Sequence, residues 1–333
     1  MNKQRAILGQ NNSQTSNSDS QIIISSAGTT HIGGSNNKEN QDCFFLKKDL
    51  FGVLDGHGNN GGKMAITACK EFEKSSVEMT FTEMFKNAER KIKKLLPNTG
   101  KIPLKFGGTT ASIIKIMKNG GCKLGHVGDS EVRYYDSEKN KSLLSEDHSV
   151  FNFNEFKRIL STPEPANFYF ATSNKEQDNR RPIFVTNDNI NWSLNPLGGY
   201  FYCNVNREWA GYVYTPKGEG LAVTRALGDF TMKKYGIISE PSIVNLLPPK
   251  IGSTRAIVMG SDGMWDVMHD SKIYDIVRHP EIIGNASMAT RCIMESTIRE
   301  TEKVNGNNGD NITVVVIYIT IPEYRYIERS KSF

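Results

Sequence analysis

Cysteine is scarce and irregularly placed in this sequence. Five cysteines occur among 333 residues, and no pair has the Cys-x-x-Cys spacing of zinc sites and redox motifs. An odd, scattered set argues against a disulfide framework and indicates a reducing compartment. We therefore expect a cytoplasmic location, and a nuclear one is also compatible.

Long apolar runs and basic runs are lacking as well. No apolar stretch approaches the ~20 residues of a membrane span. The first residues lack a signal-peptide core, and Asn2 excludes N-myristoylation. The net charge of +5 is mild, and no aromatic ladder accompanies the lysines. We therefore expect neither a membrane nor a nucleic acid as a partner, and we expect a monomer.

Two common phosphate-handling motifs are also missing. The chain has no Cys-x5-Arg loop and no Gly-x4-Gly-Lys-Ser/Thr loop. The first absence argues against cysteine-based dephosphorylation. The second absence argues against a P-loop nucleotide enzyme.

The residues that are present fit one globular domain between two tails. Hydrophobic content of 38% and charged content of 23% are globular values. Residues 1–20 are rich in Asn, Ser and Gln with almost no apolar content, which predicts a disordered tail. We place the domain at residues 21–320 and a charged tail at 321–333.

Hydrophobic periodicity predicts helices in pairs and several short strands. Apolar spacing predicts a helix over 63–74, and Thr80 and Glu83 form a capping box before a second helix that Pro97 ends. Further helices are predicted over 155–160, 272–277 and 286–302. Strands are predicted over 21–26, 43–46, 51–54, 111–117, 122–127, 131–135, 255–259 and 312–319. Residues 161–218 show little periodicity, and a loop of that length is usually functional or disordered.

An acid and a histidine follow the predicted strand 51–54, in the run Asp55-Gly56-His57-Gly58. Asp offers a hard oxygen ligand, and His titrates near neutral pH. Alone the run is weak evidence, because Asp-Gly is also common turn chemistry. Further acids lie at strand ends or turn signals, namely Asp42, Asp129, Asp262, Asp266 and Asp310.

If several of these acids converge, their like charges repel unless cations neutralise them. Oxygen-only ligands favour Mg²⁺ or Mn²⁺ over zinc. Two such ions about 4 Å apart can share a carboxylate and a water, and that water becomes a hydroxide placed to attack phosphorus. The leaving oxygen then needs a proton, which a histidine can supply.

The chain resembles the metal-dependent protein serine/threonine phosphatases of type 2C. The resemblance runs from about residue 22 to 320, with motifs in the family's order. These motifs are 40–42, 53–58, 106–111, 126–130, 147–148, 221–229, 261–266 and 309–314. It implies an α+β fold, in which two antiparallel β-sheets pack as a sandwich flanked by helix pairs. It also implies a phosphoprotein substrate and two Mg²⁺ or Mn²⁺ ions.

The resemblance also implies a role for each site residue. Asp55 matches the carboxylate that bridges both ions, and the Gly56 carbonyl joins it. Asp262 and Asp310 match further ligands of one ion, and Asp42 matches an acid that holds metal-bound water on the other. Asp129 and Asp266 match acids of a third, weaker metal site. His57 matches the proposed general acid. The 221–229 motif, Arg225, His126 and His148 are interpreted as structural.

The sequence departs from the family pattern in two places, and only the first, at Asn37, leaves an alternative open. Many members have an Arg that grips the substrate phosphate where this chain has Asn37, and the neighbouring Lys38 can bind phosphate only as a point charge. Residues 161–218 are longer and less regular than usual and correspond to the flap beside the cleft. We expect this segment to be mobile or packed over the cleft and to set substrate preference. The alternative to an active phosphatase is a catalytically weak member that acts as a phosphoprotein-binding or scaffolding module.

Overall fold

The computed structural model describes residues 9–15, 22–37, 39–95, 107–136, 141–172 and 180–323. The helices are α1 (Gly61–Lys74), α2 (Phe81–Lys93), α3 (Phe153–Leu160), α4 (Asp262–Trp265), α5 (Asp270–Arg278) and α6 (Ala286–Val304). The first ten strands are β1 (Gly9–Thr15), β2 (Ile22–His31), β3 (Cys43–Lys47), β4 (Leu50–Leu54), β5 (Gly56–His57), β6 (Gly108–Thr109), β7 (Ala111–Ile116), β8 (Cys122–Val127), β9 (Val132–Tyr135) and β10 (Lys141–Leu143). The others are β11 (Asn167–Phe170), β12 (Phe184–Val185), β13 (Ser193–Leu194), β14 (Gly211–Tyr214), β15 (Gly220–Leu221), β16 (Leu227–Gly228), β17 (Ser242–Leu246), β18 (Ser253–Gly260) and β19 (Ile312–Ile321).

Two antiparallel sheets form the centre of the molecule. One has the strand order β1-β2-β19-β18-β9-β10, and the other has the order β17-β8-β7-β4-β3. Apolar side chains from both sheets meet in one cluster, with Phe51 and Val53 of β4 against Ile257 of β18 and Ile317 of β19. The sheets therefore pack face to face, which confirms the predicted sandwich.

Helix pairs cover the two outer faces, because alternate residues of a strand point to opposite sides of its sheet. In β4, Leu50 and Leu54 face away from the sandwich and join a cluster with Phe72 of α1 and Phe85 of α2. The six-stranded sheet is covered by α5 and α6 in the same way. The capping box that begins α2 is present as predicted, with Thr80 and Glu83 each bonding the other's backbone. The observed order of layers is therefore α-β-β-α.

Residues 161–218 are more regular than the sequence predicted. Four short strands, β11 to β14, form within this segment, and β14 pairs with β11 and β15. A separate apolar cluster with many aromatic rings joins them to α3, and the Phe156 and Phe184 rings stack there at 4.2 Å. The segment is therefore a packed subdomain in its described part, with Tyr212 at the cleft. Residues 173–179 lie outside the described residues.

The predicted disordered tail needs a correction at its centre. Residues Gly9–Thr15 form β1, which pairs antiparallel with β2 from Gly9 opposite Gly28 to Thr15 opposite Ile22. The prediction of disorder is wrong for this stretch, because backbone pairing at a sheet edge needs no apolar side chains. The rest of residues 1–20 and residues 324–333 lie outside the described residues. Within the part of the chain that is described, no helix is long and apolar enough to cross a bilayer.

Candidate active site

Five aspartates line one cavity of about 370 Å³, and four of them, Asp55, Asp129, Asp262 and Asp310, lie at the ends of strands of the two central sheets. Asp55 follows β4 and Asp129 follows β8, and these strands run in the same direction because both pair antiparallel with β7. Asp262 follows β18 and Asp310 precedes β19, and these strands pair antiparallel with Gly260 opposite Val314. The topology therefore gathers these four acids at one end of the sandwich.

Asp42 lies beside these acids and is almost fully buried. Its Oδ2 atom accepts a hydrogen bond of 2.8 Å from Ser261 Oγ, which itself accepts one from the Thr313 backbone N–H. The Oδ1 atoms of Asp42 and Asp262 are buried with no hydrogen-bond partner among the described residues. Buried oxygens without a partner are costly, so both atoms are suited to a ligand that is missing from the protein itself.

The electrostatics of the cluster point the same way. Burial, with neighbouring carboxylates adding to it, raises the pKa of Asp129 to about 7, of Asp262 to about 6 and of Asp266 to about 9. Burial likewise raises the pKa of Asp42 to about 7, and that of Asp55 well above its usual range. Among the described residues that line the cavity, none is Lys or Arg. Burial and mutual repulsion therefore disfavour ionisation of these acids, and a bound cation would restore their charged form.

The donor set fits hard divalent cations, since it consists of carboxylate oxygens with two unpartnered atoms. Within the described ranges, however, no three Asp, Glu, His or Cys side chains already converge into a closed metal cage. The carboxylates are thus suitable ligands and line one cavity, but no three of the described side chains lie close enough together, as they stand, to hold one ion.

His57 lies in the same cavity, at the end of β5. Its Nε2 atom is 2.7 Å from Oδ2 of the buried Asp229, and its side chain is 27% exposed. Burial lowers the pKa of His57, but the charge and the hydrogen bond of Asp229 outweigh it, and the net pKa is raised. A histidine held by a carboxylate and partly open to a cavity is suited to donate a proton there.

Asp229 is the functional residue that sequence reasoning missed, because its motif was interpreted as structural. It follows β16, which pairs with β6, and its backbone φ is +45°. A Cβ added to Gly108 of β6 would lie 2.2 Å from Asp229 Oδ2, so only glycine lets this strand pass the carboxylate. The available signal was the Gly-Asp pair at a strand end, which Gly228-Asp229 shares with Gly128-Asp129.

Gly56 has a comparable reason to be glycine. An added Cβ would lie 2.4 Å from the backbone of Gly61 and 2.8 Å from the Gln41 carbonyl oxygen. The run after Asp55 therefore passes directly against the start of α1. This close packing fixes Asp55 and His57 on one rim of the cavity.

The position that holds Arg in many family members is occupied here by a structural amide. Asn37 Nδ2 donates to the carbonyl oxygens of Ile32 at 2.7 Å and Gly309 at 2.8 Å. It therefore ties the loop before β3 to the residue next to Asp310. Lys38, the predicted phosphate-binding residue, lies outside the described residues, and its role stays a prediction.

The residues that were predicted to be structural are buried and paired. Arg225 forms two hydrogen bonds to the buried Glu155, which also bonds Arg158. The rings of His126 and His148 stack at 4.9 Å, and burial lowers the pKa of His126 to about 4. These groups support the walls of the cavity from outside it.

Comparison with known proteins agrees with this arrangement. The family model "Protein phosphatase 2C" matches residues 29–164 and 183–304. The chain is 26% identical over 307 residues to the Arabidopsis thaliana protein named "Probable protein phosphatase 2C 35", covering 85% of this chain and 79% of that protein.

Solved structures show the same fold. A serine-threonine phosphatase 2C from Toxoplasma gondii superposes with a TM-score of 0.62 at 18% identity, over 94% of this chain and 99% of that one. The catalytic domain of the phosphatase PstP, solved in complex with two manganese ions, gives a TM-score of 0.54 at 14% identity, over 90% of this chain and 99% of that one. The family model covers most of the chain, and the acids of the cavity lie where the motifs predicted. The chain therefore belongs to the protein phosphatase 2C family, and it is a protein serine/threonine phosphatase.

Proposed function

We propose that the protein hydrolyses phosphoserine and phosphothreonine in protein substrates with two divalent cations, Mg²⁺ or Mn²⁺, held in the aspartate cavity. One observation carries the proposal. The cavity brings together aspartates from separate chain segments, and none of the described residues that line it is a Lys or Arg that could balance them. The family is metal dependent, and the related PstP domain was solved with two manganese ions.

The resemblance assigns each ligand, and the geometry supports the assignment. Asp55, with the Gly56 carbonyl, would contact both ions, while Asp262 and Asp310 would complete one of them. Asp42 would serve the other ion through water, since its Oδ1 atom is buried and unpartnered. Asp129 lines the cavity and Asp266 is the C-cap residue of α4, and both would serve a third, weaker site as the resemblance implies. When bound, the ions would activate a water molecule as the nucleophile and would neutralise charge on the phosphoryl group.

The chain's own residues supply the remaining chemistry. His57 is open to the cavity at one edge and held by Asp229 at the other, so its free edge can face the leaving oxygen. Phosphoserine leaves as a poor alkoxide, and a positioned acid that protonates it accelerates such a step by ~10²–10⁴-fold. Tyr212 and Leu221 line the same cavity and would contact the peptide around the phosphorylated residue.

A catalytically weak binding module is not favoured. Asp55, Asp262 and Asp310 are all present and gathered in one cavity, and the His57–Asp229 pair is formed. Asn37, the departure that supported this alternative, has a structural role, because its side-chain amide donates hydrogen bonds to two carbonyl oxygens.

The test is phosphopeptide hydrolysis by the purified chain, with Mn²⁺ binding measured separately by calorimetry. We expect activity to disappear with EDTA and to return with Mn²⁺ or Mg²⁺. Asp262→Ala should abolish activity and remove Mn²⁺ binding heat, because it deletes a ligand and unbalances the remaining charge. Asp275→Ala, which removes an exposed acid on α5, is the matched control and should behave as the unaltered protein. Full turnover by Asp262→Ala, or by the chelated protein, would contradict the two-metal proposal.

A further inference from the structure

A second cavity, of about 480 Å³, lies between α2 and the loop that follows β16. It is lined by Lys86, Glu89, Arg90, Lys93, Phe230, Lys233 and Ser239. Four of these side chains are cationic and one is anionic. The active-site cavity has the opposite character, since aspartates line it and no Lys or Arg of the described residues does.

The single acid of this second cavity is already satisfied. Glu89 Oε2 accepts a hydrogen bond of 2.8 Å from the Gly228 backbone N–H, and Glu89 Oε1 lies 3.4 Å from Lys233 Nζ. Glu89 and Lys233 therefore neutralise each other. The positive charge that remains belongs to Lys86, Arg90 and Lys93.

These three cations share one face of α2, at spacings of four and three residues. In the part of the chain that the structure describes, none of the three forms an ion pair. Phe230 adds a half-buried apolar surface beside them. Arg can bind a phosphate or carboxylate through two parallel bonds, and lysines add point charge around it.

One short loop separates this basic cavity from the active site. Asp229, Thr231 and Met232 line the active-site cavity, whereas Phe230 and Lys233 line the basic one. A peptide with its phosphorylated residue among the aspartates can therefore place nearby residues over the loop and against α2.

We propose that the basic cavity binds an anionic group of the same phosphoprotein substrate, in the residues that flank the one being dephosphorylated. The group is a second phosphate or a cluster of carboxylates, which share the chemistry that Arg90 and its neighbouring lysines recognise. The inference rests on the proposed phosphatase function and adds a preference for substrates with acidic or multiply phosphorylated flanks.

Three sets of phosphothreonine peptides test the proposal on the full chain with Mn²⁺. One set has neutral flanks, one has glutamates, and one has a non-hydrolysable phosphonate analogue of phosphoserine, each placed on either side of the phosphothreonine. The readout is the ratio of kcat/KM for an anionic peptide to that for the neutral peptide. The test variant is Lys86→Glu with Arg90→Glu. The matched control is Lys70→Glu with Lys74→Glu, which makes the same charge change at exposed positions of α1 outside the cavity.

The unaltered protein should favour an anionic flank by about five- to tenfold at low salt, the effect of a few exposed charge pairs. This ratio should fall toward one at high salt, because ions screen exposed charges. The test variant should lose the preference, mainly through KM, and the control variant should keep it. The glutamate and phosphonate sets show which anion the cavity prefers.

A ratio near one in the unaltered protein at low salt would overturn the inference, as would a test variant that keeps the preference. These outcomes differ from a failure of the proposed function itself. In that case the neutral phosphopeptide would not be hydrolysed by the unaltered protein either.

Discussion

The Asp229→Asn substitution removes the charge that holds His57 and leaves the shape of the side chain almost unchanged. Asparagine suits the position, because φ is +45° there and Asn adopts left-handed backbone more readily than most residues. The bond to be weakened is short, at 2.7 Å, and its carboxylate is buried. A hydrogen bond to a charged group contributes about 1.5–3 kcal/mol, which corresponds to roughly 10–150-fold in rate.

The loss should depend on the leaving group. Phosphoserine needs a proton on its leaving oxygen, so we expect Asp229→Asn to slow phosphoserine peptides by roughly 10–150-fold. Nitrophenolate leaves without a proton, so p-nitrophenyl phosphate should be hydrolysed almost normally. The pKa of His57 is raised by Asp229 against the effect of burial. Removing the charge should therefore lower that pKa and move the basic limb of the pH–rate profile to lower pH.

Steady-state kinetics on both substrates, with Mn²⁺ binding followed by calorimetry, would measure these effects. His57→Ala should show the same dependence on the leaving group with a larger loss of rate. The double variant should hydrolyse the peptide no more slowly than His57→Ala alone. Asp275→Asn is the exposed control. Equal losses on both substrates, or independent losses that add in the double variant, would refute the view that Asp229 acts through His57.

Three further predictions concern stability and the flap. Burial raises the pKa of Asp266 to about 9. An acid whose pKa is higher in the folded than in the unfolded protein contributes its full stability only below the unfolded-state pKa. That contribution is lost as the pH rises through the folded-state pKa. The EDTA-treated protein should therefore show a Tm that falls as the pH rises from about 4 toward about 9, less steeply in Asp266→Asn, and a rising Tm would contradict this. Glu155→Gln leaves two arginines without a buried anion and should lower the free energy of unfolding by about 3 kcal/mol in urea titrations, whereas an unchanged midpoint would show that the pairs add nothing. Tyr212→Ala should raise KM for phosphopeptides far more than for p-nitrophenyl phosphate, because Tyr212 lines the cavity from the flap; equal effects would mean that it supports the metal ligands.

The site acids were predictable because each one follows a local signal. A buried strand that ends in Gly and Asp is visible in the sequence, and the order of these signals identified the family. The α2 helix was predictable for the same reason, since Thr80 and Glu83 form its cap within four residues. The placement of Lys38 on the phosphate, the monomeric state and the cytoplasmic location stay predictions.

Other features depend on contacts that are distant in the chain. The His57–Asp229 pair joins residues 172 positions apart, so it becomes visible only when β16 pairs with β6. The strands of residues 161–218 have two to four residues each, which is too short for a period of two to emerge. Their stability comes from aromatic packing on α3, as between Phe156 and Phe168. The β1 strand consists of Gly, Asn, Gln, Ser and Thr, and a composition with so few apolar residues indicated disorder instead.

The loop after β16 brings the active-site cavity and the basic cavity within a few residues of each other. Gly228 bonds Glu89 of α2, Asp229 holds His57, and Lys233 pairs with Glu89. A change within this loop would therefore disturb both cavities at once and could not separate their roles. Changes on either side of it can. His57→Ala should alter leaving-group selectivity and keep the preference for anionic flanks, whereas Lys86→Glu with Arg90→Glu should do the reverse. If either variant changed both properties together, the loop would transmit each site's state to the other, and the two cavities would have to be treated as one extended site.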